Sequence, residues 1–274
     1  MVSNVLYLPK RATLLIRGSD AVPFLQALIT NDMRLLESRK GISAMLLNTQ
    51  GRIVEDMLLW KRGNELLLEC SVVHRDDLLA ILNKYKMRKK VEIENSPDRV
   101  FFIPGKNGGD LPDPRLADFG CRQYSSTSDE GQLKDGTDTY NRLRFEIGLS
   151  EGPEELANML PFQANADLFK MVSFDKGCYI GQELTARTAN TGVIRRRILP
   201  FYAEAKVSGE VKHGENSVGK VLNSDSKGGL AIFQLNSFSR PLTVGGVPVK
   251  PFRPSWMPEK IILNYEKRTS LTDD

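Results

Sequence analysis

Arg52-Ile53-Val54-Glu55-Asp56-Met57-Leu58-Leu59-Trp60, then Arg62-Gly63-Asn64 after one lysine, then Glu65-Leu66-Leu67-Leu68-Glu69-Cys70-Ser71-Val72 is the stretch on which the fold turns. Apolar runs flank a Gly-Asn pair, and both residues tolerate the positive φ that a tight reversal of the chain requires. The stretch reads as an antiparallel β-hairpin. Glu55 and Asp56 are neighbours on one strand, so their side chains point to opposite faces and do not make a catalytic carboxylate pair. One of them can still line a pocket.

Working outward, residues 42 to 49 read as a second strand, and Ala12-Thr13-Leu14-Leu15-Ile16-Arg17-Gly18 as another that ends at its glycine. Ser19, Asp20 and Pro23 are helix-start signals, and Phe24, Leu25, Leu28 and Ile29 fall on one helical face, which predicts a helix over 21–30. A second helix over 76–85 and a returning strand over 91–94 complete the pattern. Strand, helix, strand, hairpin, helix, strand describes an α+β arrangement of mixed sheets and helices, not a parallel doubly wound one. Residues 104–138, rich in Gly, Pro, Asp and Ser, read as a long surface connection, and residues 139–149 as a further helix. From Leu199 onward, short apolar runs at 199–203, 218–222, 230–235 and 247–249 alternate with Gly, Pro and Asn. That is the pattern of a small β-barrel. The expected division is an α+β domain over 1–198 and a barrel domain over 199–274.

Composition narrows the function classes. Of 274 residues, 41% are hydrophobic and 26% charged, enough to bury a core without disulfides. No apolar run approaches the roughly 20 residues that cross a bilayer, so no membrane partner is expected. The net charge of +4 is too small for a dedicated nucleic-acid binder. Two basic runs, Lys84-Tyr85-Lys86-Met87-Arg88-Lys89-Lys90 and Arg195-Arg196-Arg197, read as contacts for phosphates or an acidic protein, or as solvated helix ends favoured by the helix dipole. Three cysteines form no CxxC pair and have only His74 and His213 to assist them, so no closed metal site is spelled out. A soft metal would have to be shared with a partner.

The densest chemical signal is Val172-Ser173-Phe174-Asp175-Lys176-Gly177-Cys178-Tyr179-Ile180-Gly181-Gln182-Glu183-Leu184-Thr185-Ala186-Arg187. Gly177 and Gly181 bracket the cysteine and leave little cover over the thiol. A helix opening after Gly181 and the nearby Lys176 cation both favour thiolate, the form that nucleophilic attack, thiol exchange and iron ligation need. The duller reading is an inert buried cysteine. Cys70 ends an apolar strand and reads as core; nothing singles out Cys121. His74 reads as a cap or solvent residue and His213 as a turn residue.

The core Lys176-Gly177-Cys178-Tyr179-Ile180-Gly181-Gln182-Glu183, with Ala186-Arg187 after it, resembles the signature of the YgfZ-type proteins, folate-binding iron-sulfur cluster assembly factors. Gly18 to Asp32, Leu47 to Trp60, Gly192 to Arg197 and Val218 to Val221 resemble the same family in the same order, and the stretch from Cys178 to Arg197 is most similar to its mitochondrial branch. That resemblance implies a place in the mitochondrial matrix, with a transit peptide outside this numbering. The family in turn resembles the T-protein of the glycine cleavage system, an aminomethyltransferase with an α+β folate-binding body and a C-terminal barrel. Gln163, in Leu160-Pro161-Phe162-Gln163-Ala164-Asn165, stands where the T-protein holds its pterin with a glutamate, and the T-protein's acidic pair aligns with Glu55 and Asp56. Asp56, Gln163 and Asn165 are the residues that this likeness assigns to tetrahydrofolate.

The function that the resemblance implies is late assembly of mitochondrial [4Fe-4S] proteins, with A-type scaffold proteins as partners. Cys178 would be a transient or shared ligand, for instance of a [2Fe-2S] cluster held jointly with the partner, and Lys176 and Arg187 would counter the cluster's negative charge. The rest of the signature, Gly177, Tyr179, Gly181, Gln182 and Glu183, would shape that thiol site. The competing reading is a tetrahydrofolate-dependent one-carbon transferase with Asp56 near the reactive folate nitrogen. An RNA-contacting protein is a third, resting on the basic runs alone. Of these, a non-enzymatic or weakly enzymatic assembly factor, with a transferase fold but no clear transferase activity, is the expectation.

Overall fold

The computed structural model describes residues 5–105, 109, 111–126 and 133–262. A short strand β1 (Leu6–Tyr7) precedes β2 (Arg11–Arg17), helix α1 (Ala21–Gln26) and the antiparallel strands β3 (Gly41–Leu47), β4 (Ile53–Arg62) and β5 (Glu65–Ser71). Helix α2 (Arg75–Lys86) then leads to β6 (Glu92–Asn95), and the five strands β3-β4-β5-β2-β6 form one sheet. The expected hairpin is there. Arg62 pairs with Glu65 across a two-residue turn whose Gly63 has φ +60.

Both faces of this sheet are covered, which explains why β3, β4 and β5 carry apolar runs rather than a strict alternation. Leu14, Ile16, Met57, Leu59 and Leu68 pack under α1 and α2, while Leu15, Leu58, Trp60 and Leu67 face the other way. The predicted helix over 21–30 stops at Gln26 because the sheet captures the chain. Thr30 donates its N–H to Met45 O, and its hydroxyl accepts from Met45 N–H and donates to Met171 O.

The expected surface connection over 104–138 is a correction. β7 (Arg99–Pro104), β8 (Leu111–Pro112) and β9 (Gly120–Ser125) join β1 in a second sheet of order β1-β7-β9-β8. Asp113, Arg115, Cys121 and Arg122 are buried within it. Part of the expected connection, residues 106–108, 110 and 127–132, lies outside the described residues.

Helices α3 (Thr137–Ile147), α4 (Pro153–Leu156) and α5 (Gln182–Thr191) follow, with an irregular segment between the last two. The chain ends in β10 (Arg196–Tyr202), β11 (Glu210–His213), β12 (Asn216–Ser224), β13 (Gly228–Gln234), β14 (Leu242–Val244) and β15 (Val247–Pro251), which close into a barrel of order β10-β13-β12-β11-β14-β15. The four predicted barrel strands overlap β10, β12, β13 and β15, two of them running one residue past the strand end; β11, with His213 at its end, and β14 have no counterpart in the sequence expectation. The α+β class with a C-terminal barrel is thus the observed architecture. Body and barrel share a core: Ile198 and Leu230 pack with Phe145, Phe162 and Phe169, and Trp256 donates its indole N–H to Ile147 O at 2.9 Å.

Candidate functional site

The segment from Val172 to Thr191 wraps from the body's first sheet to α5, and its residues divide by the direction they face. Gly181 has φ +76, and a Cβ there would lie 2.3 Å from Asn48 O in the turn between β3 and β4. Only glycine lets these two backbones meet. Gln182 then closes the loop on itself: its Oε1 accepts from Tyr179 N–H at 3.2 Å and its N–H donates to Tyr179 O at 3.4 Å. Tyr179 and Ile180 pack onto the body's two main cores. Burial pushes the Tyr179 phenol above its ordinary pKa.

Lys176 departs from the expectation. Its ammonium donates to Gln26 O, Ile29 O and Asn31 O at 2.7, 2.7 and 2.8 Å, and sits 5.0 Å from the Tyr179 ring centroid. Burial lowers its pKa to about 8, against the opposing pull of Asp32. With its three protons committed to carbonyls at and just beyond the end of α1, Lys176 pins the loop to the body. Residues Ile29–Asn31 are therefore part of the site that the motif reading missed; the polar Thr-Asn-Asp run closing an apolar helix is the signal for them.

The other half of the motif faces solvent. Cys178 is exposed, whereas Cys70 and Cys121 are buried. A Cβ at Gly177 meets nothing within 4 Å and its φ is not left-handed, so neither packing nor backbone demands a glycine there. Glu183 and Arg187, one helical turn apart on α5, are also exposed. A groove of about 600 Å³ is lined by Phe174 and Thr188 from this segment, with Phe162, Ile194, Ile261 and the Asp167–Arg197 ion pair among others. The chain crosses from one lining residue, Phe174, to another, Thr188, by way of Cys178. Among the described residues, no group of three or more His, Cys, Asp or Glu side chains is placed to hold a metal ion.

None of the residues assigned to tetrahydrofolate lines this groove. Asn165 is fully buried at φ +59; its amide donates to Ile198 O at 2.8 Å and accepts from Arg197 at 3.1 Å, so it fastens β10 rather than facing a ligand. Gln163 is half-buried and accepts from Leu160 N–H at 3.1 Å. Asp56 is 1% exposed, accepts from Gly152 N–H at 2.8 Å and lies 3.6 Å from Arg11. Burial raises its pKa, with Arg11 opposing.

Asp56 belongs to a buried ionic cluster between the two sheets. Glu69 accepts from Arg11 at 2.8 Å, from Arg122 at 3.0 Å and from the Tyr124 hydroxyl at 2.7 Å. Arg115 bridges Asp113 and Glu151 at 2.7 and 2.6 Å. Burial works to raise the pKa of Glu151, and Arg115, Arg11, Arg122 and Arg144 overcome it and hold that pKa well below the carboxylate range. Glu55 points to the opposite face, as the strand geometry requires; it accepts from Ser71 N–H at 2.8 Å and pairs with His74 Nδ1 at 3.1 Å. Burial, then the Asp56 charge, pushes its pKa up to about 8. His74, expected to cap a helix or face solvent, makes no capping bond.

Comparison with known proteins places this geometry. Residues 195–259 match the family model described as the CAF17 C-terminal beta-barrel domain. The whole chain resembles the crystal structure of glycine cleavage system aminomethyltransferase T from Bartonella henselae, with a TM-score of 0.72 over 92% of this chain and 86% of that one. At 13% identity, that likeness is one of fold. The mitochondrial iron-sulfur cluster assembly factor IBA57 of Mus musculus is 32% identical over 90% of this chain and 84% of its own length. The chain belongs to the IBA57 family of iron-sulfur cluster assembly factors. The Homo sapiens IBA57 is 33% identical over 90% of this chain and 83% of its own. A Neurospora crassa IBA57 homolog is 32% identical over 70% of this chain and 52% of its own. This IBA57-family chain thus combines a T-protein-like fold with a thiol presented at its surface.

Proposed function

We propose that this chain acts in mitochondria late in the maturation of [4Fe-4S] proteins, with Cys178 lending one thiolate to a cluster whose other ligands come from an A-type scaffold partner. The observation that carries the reading is a solvent-exposed thiol on a loop held rigidly from behind. Gly181, Gln182, Tyr179 and Lys176 fix the loop to the body, and Gly177 leaves the approach to sulfur open. A cluster takes about four ligands, and the described residues assemble no group of three or more His, Cys, Asp or Glu, which fits a cluster shared with a partner. The groove lined by Phe174 and Thr188, which flank Cys178 along the chain, offers a partner an apolar surface, and Arg187 remains as the motif's exposed cation.

Mixing the protein with an A-type scaffold loaded with a [2Fe-2S] cluster is expected to change the visible charge-transfer spectrum. The change should vanish in Cys178→Ser. A spectrum that is the same for both proteins would sink the proposal. Titration with tetrahydrofolate separates the transferase reading, which requires saturable binding that Asp56→Asn weakens. Enclosure of Asp56 and Asn165 argues against it.

A further inference from the structure

The end of α2 does something that neither packing nor cluster chemistry uses. Met87 has φ +50 and ψ −115, and Lys89 N–H donates to Lys86 O at 3.0 Å. These are the marks of the first central position of a type II′ turn, where glycine is the usual residue. Met87 is nevertheless 85% exposed, so the side chain that strains the backbone gains no packing in return. The turn is not a fraying end. Lys90 N–H donates to Asp20 Oδ2 at 2.8 Å, Asp20 N–H donates to Lys90 O at 3.3 Å, and Gly18 lies so close that a Cβ there would be 2.1 Å from Lys90 O.

Around this bare methionine stand Lys84, Lys86, Arg88, Lys89 and Lys90, five cations in seven residues of a chain whose whole excess is +4. Four of them are exposed and Lys86 is half-buried, and none forms an ion pair with a described residue. The helix dipole accounts for Lys84 and Lys86 in the last turn, and its influence fades beyond it. Arg88, Lys89 and Lys90 lie past its reach. Tyr85, 37% exposed, adds an amphipathic ring of the kind that settles at a lipid headgroup boundary.

We propose that this turn docks the protein peripherally on an anionic lipid bilayer, Met87 entering the acyl boundary while the five cations lie on headgroup phosphates. A bilayer surface takes cations and an apolar wedge together without a matching shape. Nucleic acid would take the cations but leave a thioether bare, since it stacks on planar side chains. No helix of the described residues is long and apolar enough to span a membrane, so the contact is with the surface alone.

Flotation of the full chain with vesicles tests this, using phosphatidylcholine alone and phosphatidylcholine with about one-third phosphatidylglycerol. Binding is expected only to the anionic vesicles, and the triple variant K86E/R88E/K89E should bind at least about tenfold more weakly. Met87→Gly supplies the decisive control. Glycine suits φ +50, so this variant should melt no lower than the parent while binding several-fold more weakly. No vesicle binding, equal binding to neutral vesicles, full binding by Met87→Gly, or tighter binding to single-stranded RNA than to anionic vesicles each overturns the proposal.

Discussion

Gly177 and Gly181 lie four positions apart in the signature, and the backbone requires only the second. In Gly181→Ala the new Cβ would collide with Asn48 O at 2.3 Å and hold a strained φ. We expect a loss of about 1–3 kcal/mol, read by urea denaturation. Gly177→Val adds its side chain into open space, so stability should stay within about 0.5 kcal/mol while alkylation of Cys178 slows several-fold. Equal stability losses at the two glycines would contradict this division. The motif was visible in the sequence because glycine and cysteine carry their meaning locally. The anchoring of Lys176 was not, because its carbonyl acceptors lie 145 to 150 positions away.

Glu55 makes the stability of the fold depend on pH. Burial lifts its folded pKa from 4.5 to about 8, so the folded state holds a proton that the unfolded chain releases. The stability this contributes is complete below pH 4.5 and is lost as pH rises through about 8. Wild-type unfolding free energy should fall between about pH 5 and 8, by at most ~1.4 kcal/mol per unit from this group. Glu55→Gln should flatten that slope and keep the bond from Ser71 N–H. Identical pH profiles for the two proteins would show that Glu55 is not the source.

Among the elements, the second sheet was the one that sequence reading lost. Its strands are short, and its interior is held by Asp113, Arg115 and Arg122, residues whose ordinary place is the surface. Charge balance across two sheets is not a periodic signal. The first sheet was legible for the opposite reason: its apolar runs and Gly63 turn are continuous in the chain. The cost of breaking the cluster follows from its burial. Glu69→Ala leaves Arg11, Arg122 and Tyr124 without their shared acceptor, and about 3–5 kcal/mol of stability should go with it. Denaturant titration checks this; a loss below about 1 kcal/mol would mean that water replaces the carboxylate without penalty.

Across the whole molecule, barrel and body are joined by a common core and by Asn165, so they should unfold together. The two tryptophans report on this from different places, Trp60 in the first sheet and Trp256 at the seam with Ile147. Phenylalanine variants that leave one tryptophan at a time should give coincident urea transitions. Asn165→Ala should lower both by about 1–3 kcal/mol. Separate transitions would show that the shared core does not couple the two parts.

The burial of Cys70 and Cys121 beside the exposure of Cys178 also hands the experimenter a ready chemical handle. Burial lifts the Cys70 thiol to a pKa of about 12, which protects it further from alkylating reagents. A maleimide dye or spin label added to the native protein should attach once, and in urea up to three times. One probe would then stand at the very spot where a visiting scaffold is expected, without a single cysteine having to be engineered away.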